Sequence, residues 1–105
     1  MRRRKFLTKI NKRDWGKNMD LKKITTEIAD DLDFLKTFTA TPGNGCTRMP
    51  FTRETRDAAE YLKKIMKEAG LEVREDCVGN IFGVLPGKDR SLPCIMAGSH
   101  YDSVY

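Results

Sequence analysis

The 105-residue sequence contains one histidine, one tryptophan and three cysteines, and these shortages exclude several kinds of protein. Cys46, Cys77 and Cys94 are 31 and 17 residues apart, so there is no C-x-x-C pair. That excludes a zinc ribbon and a thioredoxin-type redox motif. An odd cysteine count without a signal peptide fits a reducing cytoplasm, and each cysteine reads as a small apolar filler. No apolar run approaches the ~18 residues that a spanning helix needs. The sequence shows neither internal repeats nor low-complexity tracts, and its eight glycines and four prolines are scattered, unlike a collagen-like chain. The length allows one small domain, which would bury about 60–65% of its unfolded surface. That is too little to enclose a deep cleft.

Acidic residues are almost missing from the first 17 positions, which hold eight Lys or Arg and only Asp14. The other 88 residues carry 12 basic and 14 acidic side chains, so the net charge of +5 belongs to a basic lead on a slightly acidic body. Arg3-Arg4-Lys5-Phe6-Leu7 resembles a twin-arginine export signature. The apolar stretch that such a signal requires is replaced by Thr8-Lys9-Ile10-Asn11-Lys12-Arg13, so export is not expected. Residues 1–18 read as a basic, disordered extension. The competing reading is a small basic module that binds nucleic acid or another polyanion through residues 1–17.

From residue 19 the pattern is periodic. Leu21, Ile24, Ile28, Leu32, Leu35 and Phe38 recur at helical spacing behind the candidate N-cap Asp20. Pro42, Gly43 and Gly45 mark a loop. A second helix is predicted from Thr52, with Ala58, Leu62, Ile65, Met66 and Ala69 on its buried stripe and Lys63, Lys64, Lys67 and Glu68 in water. Gly70-Leu71 suits a Schellman ending. Leu71–Cys77 and Ile81–Leu85 read as a hairpin around Val78-Gly79-Asn80, where Asn80 would tolerate positive φ. Leu92–Gly98 is nearly uninterrupted apolar sequence and predicts a central strand covered on both faces. Residues 19–105 are therefore expected to form an incomplete α/β domain, two helices then a hairpin and a central strand. The chain stops seven residues after Gly98, which suggests the opening part of something larger.

The apolar run leads into Gly98-Ser99-His100-Tyr101-Asp102-Ser103. Ligands gather at the carboxyl ends of strands in open α/β sheets, and residues i and i+2 of extended backbone project to one side. His100 and Asp102 can then meet, the carboxylate orienting the imidazole as metal-ligating histidines require. Taken alone, H-x-D is more often a surface ion pair. Ser99 or Ser103 could complete the residue types of a triad, but adjacent positions rarely meet its geometry. Arg48 reads first as a loop anchor bonded to carbonyls of the Pro42–Pro50 segment, and second as a partner for a substrate carboxylate.

Longer motifs add to this. Gly45-Cys46-Thr47-Arg48 with Phe51-Thr52, Ala69-Gly70-Leu71, Asp76-Cys77-Val78-Gly79-Asn80-Ile81, Leu85-Pro86-Gly87 and Gly98-Ser99-His100-Tyr101-Asp102-Ser103-Val104 occur in order over about half the chain. The stretch resembles the start of the zinc-dependent amidase/carbamoylase family. Its members include N-carbamoyl-L-amino-acid hydrolases, allantoate amidohydrolases and β-ureidopropionases. The resemblance implies the N-terminal part of a helix-flanked, mixed-sheet, metallopeptidase-like catalytic domain. It makes His100 a ligand in a site of two divalent metals, zinc first, with manganese or cobalt as alternatives. Asp102 would orient His100 without binding metal. The remaining ligands and the glutamate base would lie beyond Tyr105, so the chain is expected to be inactive alone. A complementing C-terminal chain would then be needed to hydrolyse a linear C–N bond of a small N-carbamoyl or ureido acid. Neither a membrane nor nucleic acid is implied as partner.

Overall fold

A computed structural model describes residues 20–104. The basic lead lies outside the described residues, and with it the extension, targeting and polyanion-binding readings.

Helix α1 spans Leu21–Leu35 and starts where the Asp20 carboxylate accepts the Lys23 N–H at 3.1 Å. It ends three residues before Phe38, the expected limit. There the backbone tightens into shorter bonds, Thr37 N–H to Phe34 O and Phe38 N–H to Leu35 O. The Thr37 hydroxyl also donates to Phe34 O, drawing that carbonyl out of the regular ladder.

Helix α2, Arg53–Glu68, is capped by Thr52. Its exit is a Schellman motif: Gly70 has φ +82°, its N–H reaches Lys67 O, and the Leu71 N–H reaches Met66 O. Only a residue without Cβ adopts that left-handed position without strain.

Strands β1 (Glu72–Glu75) and β2 (Ile81–Val84) pair antiparallel, Glu72 opposite Val84 and Glu75 opposite Ile81. The connecting turn is organised by Asp76. Its carboxylate accepts from the Val78 N–H, the Asn80 N–H and the Asn80 amide, at 3.1, 2.8 and 2.7 Å. The positive φ belongs to Gly79, at +91°. Asn80 therefore serves the turn through its side-chain amide and not through left-handed backbone.

The hairpin folds back on α2. A Cβ at Gly83 would stand 2.8 Å from Leu71 Cδ1 and 3.1 Å from Met66 Sδ, so glycine lets β2 close on the helix. Ala58 and Ala59 are the buried apolar residues, and Leu62, Ile65 and Met66 are half-buried. Lys63, expected in water, is only 19% exposed: it bridges Glu60 and Glu75 at 2.7 and 2.6 Å, joining α2 to β1. Both carboxylates hold its ammonium above the ordinary lysine range. Helix α1 docks through the Phe34, Phe38 and Tyr61 rings, with Phe34 and Tyr61 centroids 4.6 Å apart, and through Tyr61 Oη donating to Asp31 at 2.7 Å. Of its expected apolar stripe Leu35 is half-buried, while Leu21, Ile28 and Leu32 are more than half exposed.

Two helices and a two-stranded antiparallel sheet make this a small α/β unit. The expected central strand at Leu92–Gly98 is corrected: the segment is in no strand, and Ile95 is 102% exposed. A strand requires a neighbour to accept and donate its backbone bonds, and none flanks this segment among the described residues. Ile95→Lys should accordingly leave the thermal midpoint of the chain unchanged, within the ~0.5 kcal/mol typical of surface changes. A drop of many degrees would restore the buried-strand reading.

Candidate functional site

The segment that carries the lone histidine returns to the body beside the loop after α1. Arg48 and Ser103 form an antiparallel bridge, exchanging backbone bonds of 2.8 and 2.9 Å. The Arg48 side chain is buried at 7% exposure. Its Nε donates to Tyr101 O at 2.6 Å, and Nη1 donates to Leu35 O and Phe38 O at 2.6 and 3.0 Å. The anchoring role is as expected, but the carbonyls lie outside Pro42–Pro50. They belong to the exit of α1, where a cation also meets the negative end of the helix dipole, and to the His100 segment.

Tyr101 supplies a second tether, which the sequence pattern did not reveal. Its hydroxyl donates to Gly79 O at 2.7 Å, fixing the segment to the Asp76 turn. Burial, reinforced by Glu75, pushes the phenol up, so it stays protonated and able to donate.

Between these tethers His100 and Asp102 meet. Nδ1 of His100 lies 3.0 Å from the Asp102 carboxylate and 2.9 Å from the Asp102 carbonyl. Both partners are acceptors, so Nδ1 carries a proton, and in the neutral ring the lone pair is then on Nε2. The ring is 80% exposed against 42% for Asp102, so it faces solvent and not an enclosed cavity. No hydrogen bond from His100 to Ser99 or Ser103 exists among the described residues, and a triad is not assembled. A cavity of about 170 Å³ on α2, bordered by Phe51, Arg56, Lys63 and Glu75, does not include His100.

A metal would find a prepared imidazole here but only one of its ligands. Nε2 is the atom left to coordinate, and a carboxylate already steadies the opposite nitrogen, as in histidines that bind metal. Among the described residues no three His, Cys, Asp or Glu side chains gather into a ligand set.

The turn beneath Tyr101 is acid-sensitive. The Asn80 amide, followed by the backbone N–H groups, holds the Asp76 carboxyl below the usual carboxylate range. A depressed folded-state value means that its stabilisation is complete above the unfolded value of ~3.9 and is lost as pH falls below it. Thermal midpoints measured from pH ~6 to ~2 should decline in the acid limb, and Asp76→Asn should flatten that limb. Equal slopes in both proteins would refute a contribution from this turn.

An N-carbamoyl-L-amino-acid amidohydrolase of Paenarthrobacter aurescens is 46% identical over 87 residues, 82% of this chain and 21% of that protein. A ureidoglycolate hydrolase of Arabidopsis thaliana is 40% identical over 77 residues, 73% of this chain and 16% of the relative. An allantoate amidohydrolase of Escherichia coli K12 is 38% identical over 77 residues, covering 73% and 19%. The chain thus spans about a fifth of the length of these curated relatives. No family model matches it, and no solved structure does.

Proposed function

We propose, from the premise that this chain is a relative of the N-carbamoyl-L-amino-acid, allantoate and ureidoglycolate hydrolases over about a fifth of their length, that it contributes one corner of a dinuclear-metal amidohydrolase. The observation that carries the reading is the His100–Asp102 pair. Its carboxylate occupies Nδ1 at 3.0 Å and leaves Nε2 toward solvent, in a chain similar to N-carbamoyl-L-amino-acid, allantoate and ureidoglycolate hydrolases.

In this reading His100 holds one of two divalent ions, zinc first, with manganese or cobalt as alternatives, and Asp102 keeps the imidazole in the Nδ1–H tautomer. The ions would supply Lewis acidity toward the scissile carbonyl. Tyr101, between the two, and Arg48, through Tyr101 O and Ser103, fix the backbone that carries the pair. The reaction is hydrolysis of a linear C–N bond in a small N-carbamoyl or ureido acid. Because one imidazole is not a ligand set, the chain acts with further polypeptide corresponding to the rest of its relatives, and by itself it is inactive. The exposed run at Leu92–Met96 is consistent with a surface that such polypeptide covers. Among the described residues no helix is long and apolar enough to cross a membrane. Three free cysteines support a reducing compartment, the cytoplasm.

The test is complementation. The Paenarthrobacter relative, truncated to remove the matched segment, is mixed with this chain and zinc or manganese. Release of the free amino acid from N-carbamoyl-L-amino acids should require both polypeptides. No gain with either metal, or with allantoate and ureidoglycolate as substrates, would overturn the reading.

A further inference from the structure

Residues 91–100 are exposed throughout, and this stretch, which is in no helix or strand, delivers His100 without support of its own. Order at the imidazole must therefore come from what grips the residues after it. Tyr101, the next residue, is held by its carbonyl to Arg48 Nε at 2.6 Å and by its hydroxyl to Gly79 O at 2.7 Å. Ser103, the residue after Asp102, is held through both backbone groups by the Arg48 main chain. The His100–Asp102 contact thus closes over a backbone that Arg48 grips on both sides of Asp102.

We infer that Arg48 is the positioning residue of this imidazole, a clamp that keeps the Asp102 carboxylate on Nδ1 and so presents Nε2. This rests on the reading of His100 as the functional group. Arg48 touches neither the imidazole nor any substrate; it acts through the backbone. A guanidinium suits the task because its rigid fork donates in divergent directions. Here it spans Tyr101 O on one side and Leu35 O and Phe38 O on the other. An ammonium is a single point and cannot keep all three at once. The clamp also makes the exit of α1 the platform on which the site rests.

The single histidine makes the test unambiguous, since imidazole nitrogen resonances come from His100 alone. The full chain, labelled with nitrogen-15 and free of metal, is compared with three variants at pH ~8, where a histidine is largely neutral. The wild type should show mainly the Nδ1–H tautomer. Arg48→Lys keeps the charge at the helix end, so the fold persists, yet the ratio of Nδ1–H to Nε2–H should fall about fivefold, a factor typical of one lost hydrogen bond. Tyr101→Phe, which leaves Arg48 intact and removes only the hydroxyl, should lower the ratio about twofold. Ala58→Gly weakens buried α2 without touching the clamp and should leave the tautomer ratio as in the wild type. An unchanged ratio in Arg48→Lys and Tyr101→Phe would reduce Arg48 to a fold anchor and overturn the inference, as would an equal fall in Ala58→Gly. The readout needs neither metal nor turnover. A failed complementation with a shifted tautomer would therefore count against the hydrolase reading, while the reverse would count against the clamp.

Discussion

Arg48→Met is expected to lower the urea midpoint of the isolated chain to less than half its wild-type value. Methionine keeps much of the apolar stem but leaves Leu35 O, Phe38 O and Tyr101 O without the donor that now serves all three. Hydrogen bonds to a charged donor are each worth about 1.5–3 kcal/mol net. Some of the freed carbonyls will regain water, so a loss of about 3 kcal/mol overall is the expected size. Against the total of roughly 5 kcal/mol typical of a small domain, that leaves only about 2 kcal/mol. The thinness of the core sharpens the effect. Among the described residues Ala58 and Ala59 are the buried apolar ones, and no large side chain is fully enclosed. The measurement is a urea titration followed by far-ultraviolet circular dichroism, with Arg48→Lys expected to lose about half as much. A midpoint for Arg48→Met within ~0.5 kcal/mol of the wild type would mean that the guanidinium is replaceable and that α1 is held by its aromatic contacts alone.

The second large effect is on chemistry and leaves stability alone. In the complemented assembly, the proposed function requires His100→Ala to reduce hydrolysis on the order of 10³-fold or more, because a coordinating atom would be lost from the proposed centre. Asp102→Asn should lower it by about 10–100-fold, the usual cost of altering the group behind a ligating histidine. The amide oxygen can still accept from Nδ1–H, but the negative charge that raises imidazole basicity is gone. Thermal midpoints of the isolated chain should be unaffected by His100→Ala, since the ring is 80% exposed and its bonds run only to Asp102. Full activity in both variants would remove the pair from the mechanism. A fall in His100→Ala with none in Asp102→Asn would retain the ligand and dismiss the carboxylate as its orienter.

The two effects separate along the line between what neighbouring residues determine and what distant ones do. Asp20 and Thr52 mark their helix starts because a cap bonds a residue three positions on. Gly70-Leu71 ends α2 where expected because a Schellman motif is closed by backbone within six residues. Asp76-Cys77-Val78-Gly79-Asn80 folds its turn internally, although the division of labour between Gly79 and Asn80 needed coordinates to see. His100 and Asp102 belong to the same class. An i, i+2 pair in extended backbone can meet without outside help, and the contact was readable as a spacing.

Other features had no local trace. Lys63 looked like a solvated lysine of a polar face because its second partner, Glu75, is 12 residues away on a strand. The apolar run at Leu92–Gly98 looked like a covered strand because hydrophobicity records what a segment is suited to contact, not what stands beside it. Tyr101 carried no role in the sequence pattern, yet its hydroxyl crosses 22 residues to Gly79.

The amino-acid sequence by itself determined both helices, the hairpin, the pairing of imidazole with carboxylate and the kinship with carbamoyl and ureido hydrolases. Each rests on short-range spacing or on motif order. Only the tertiary structure decided that Arg48 ties the exit of α1 to the backbone around His100, across 53 residues of chain. Only the tertiary structure, too, showed that the strand-like run stands unpaired. Hydrogen bonds between distant segments depend on where the whole chain brings them, and no periodicity within either segment encodes the meeting.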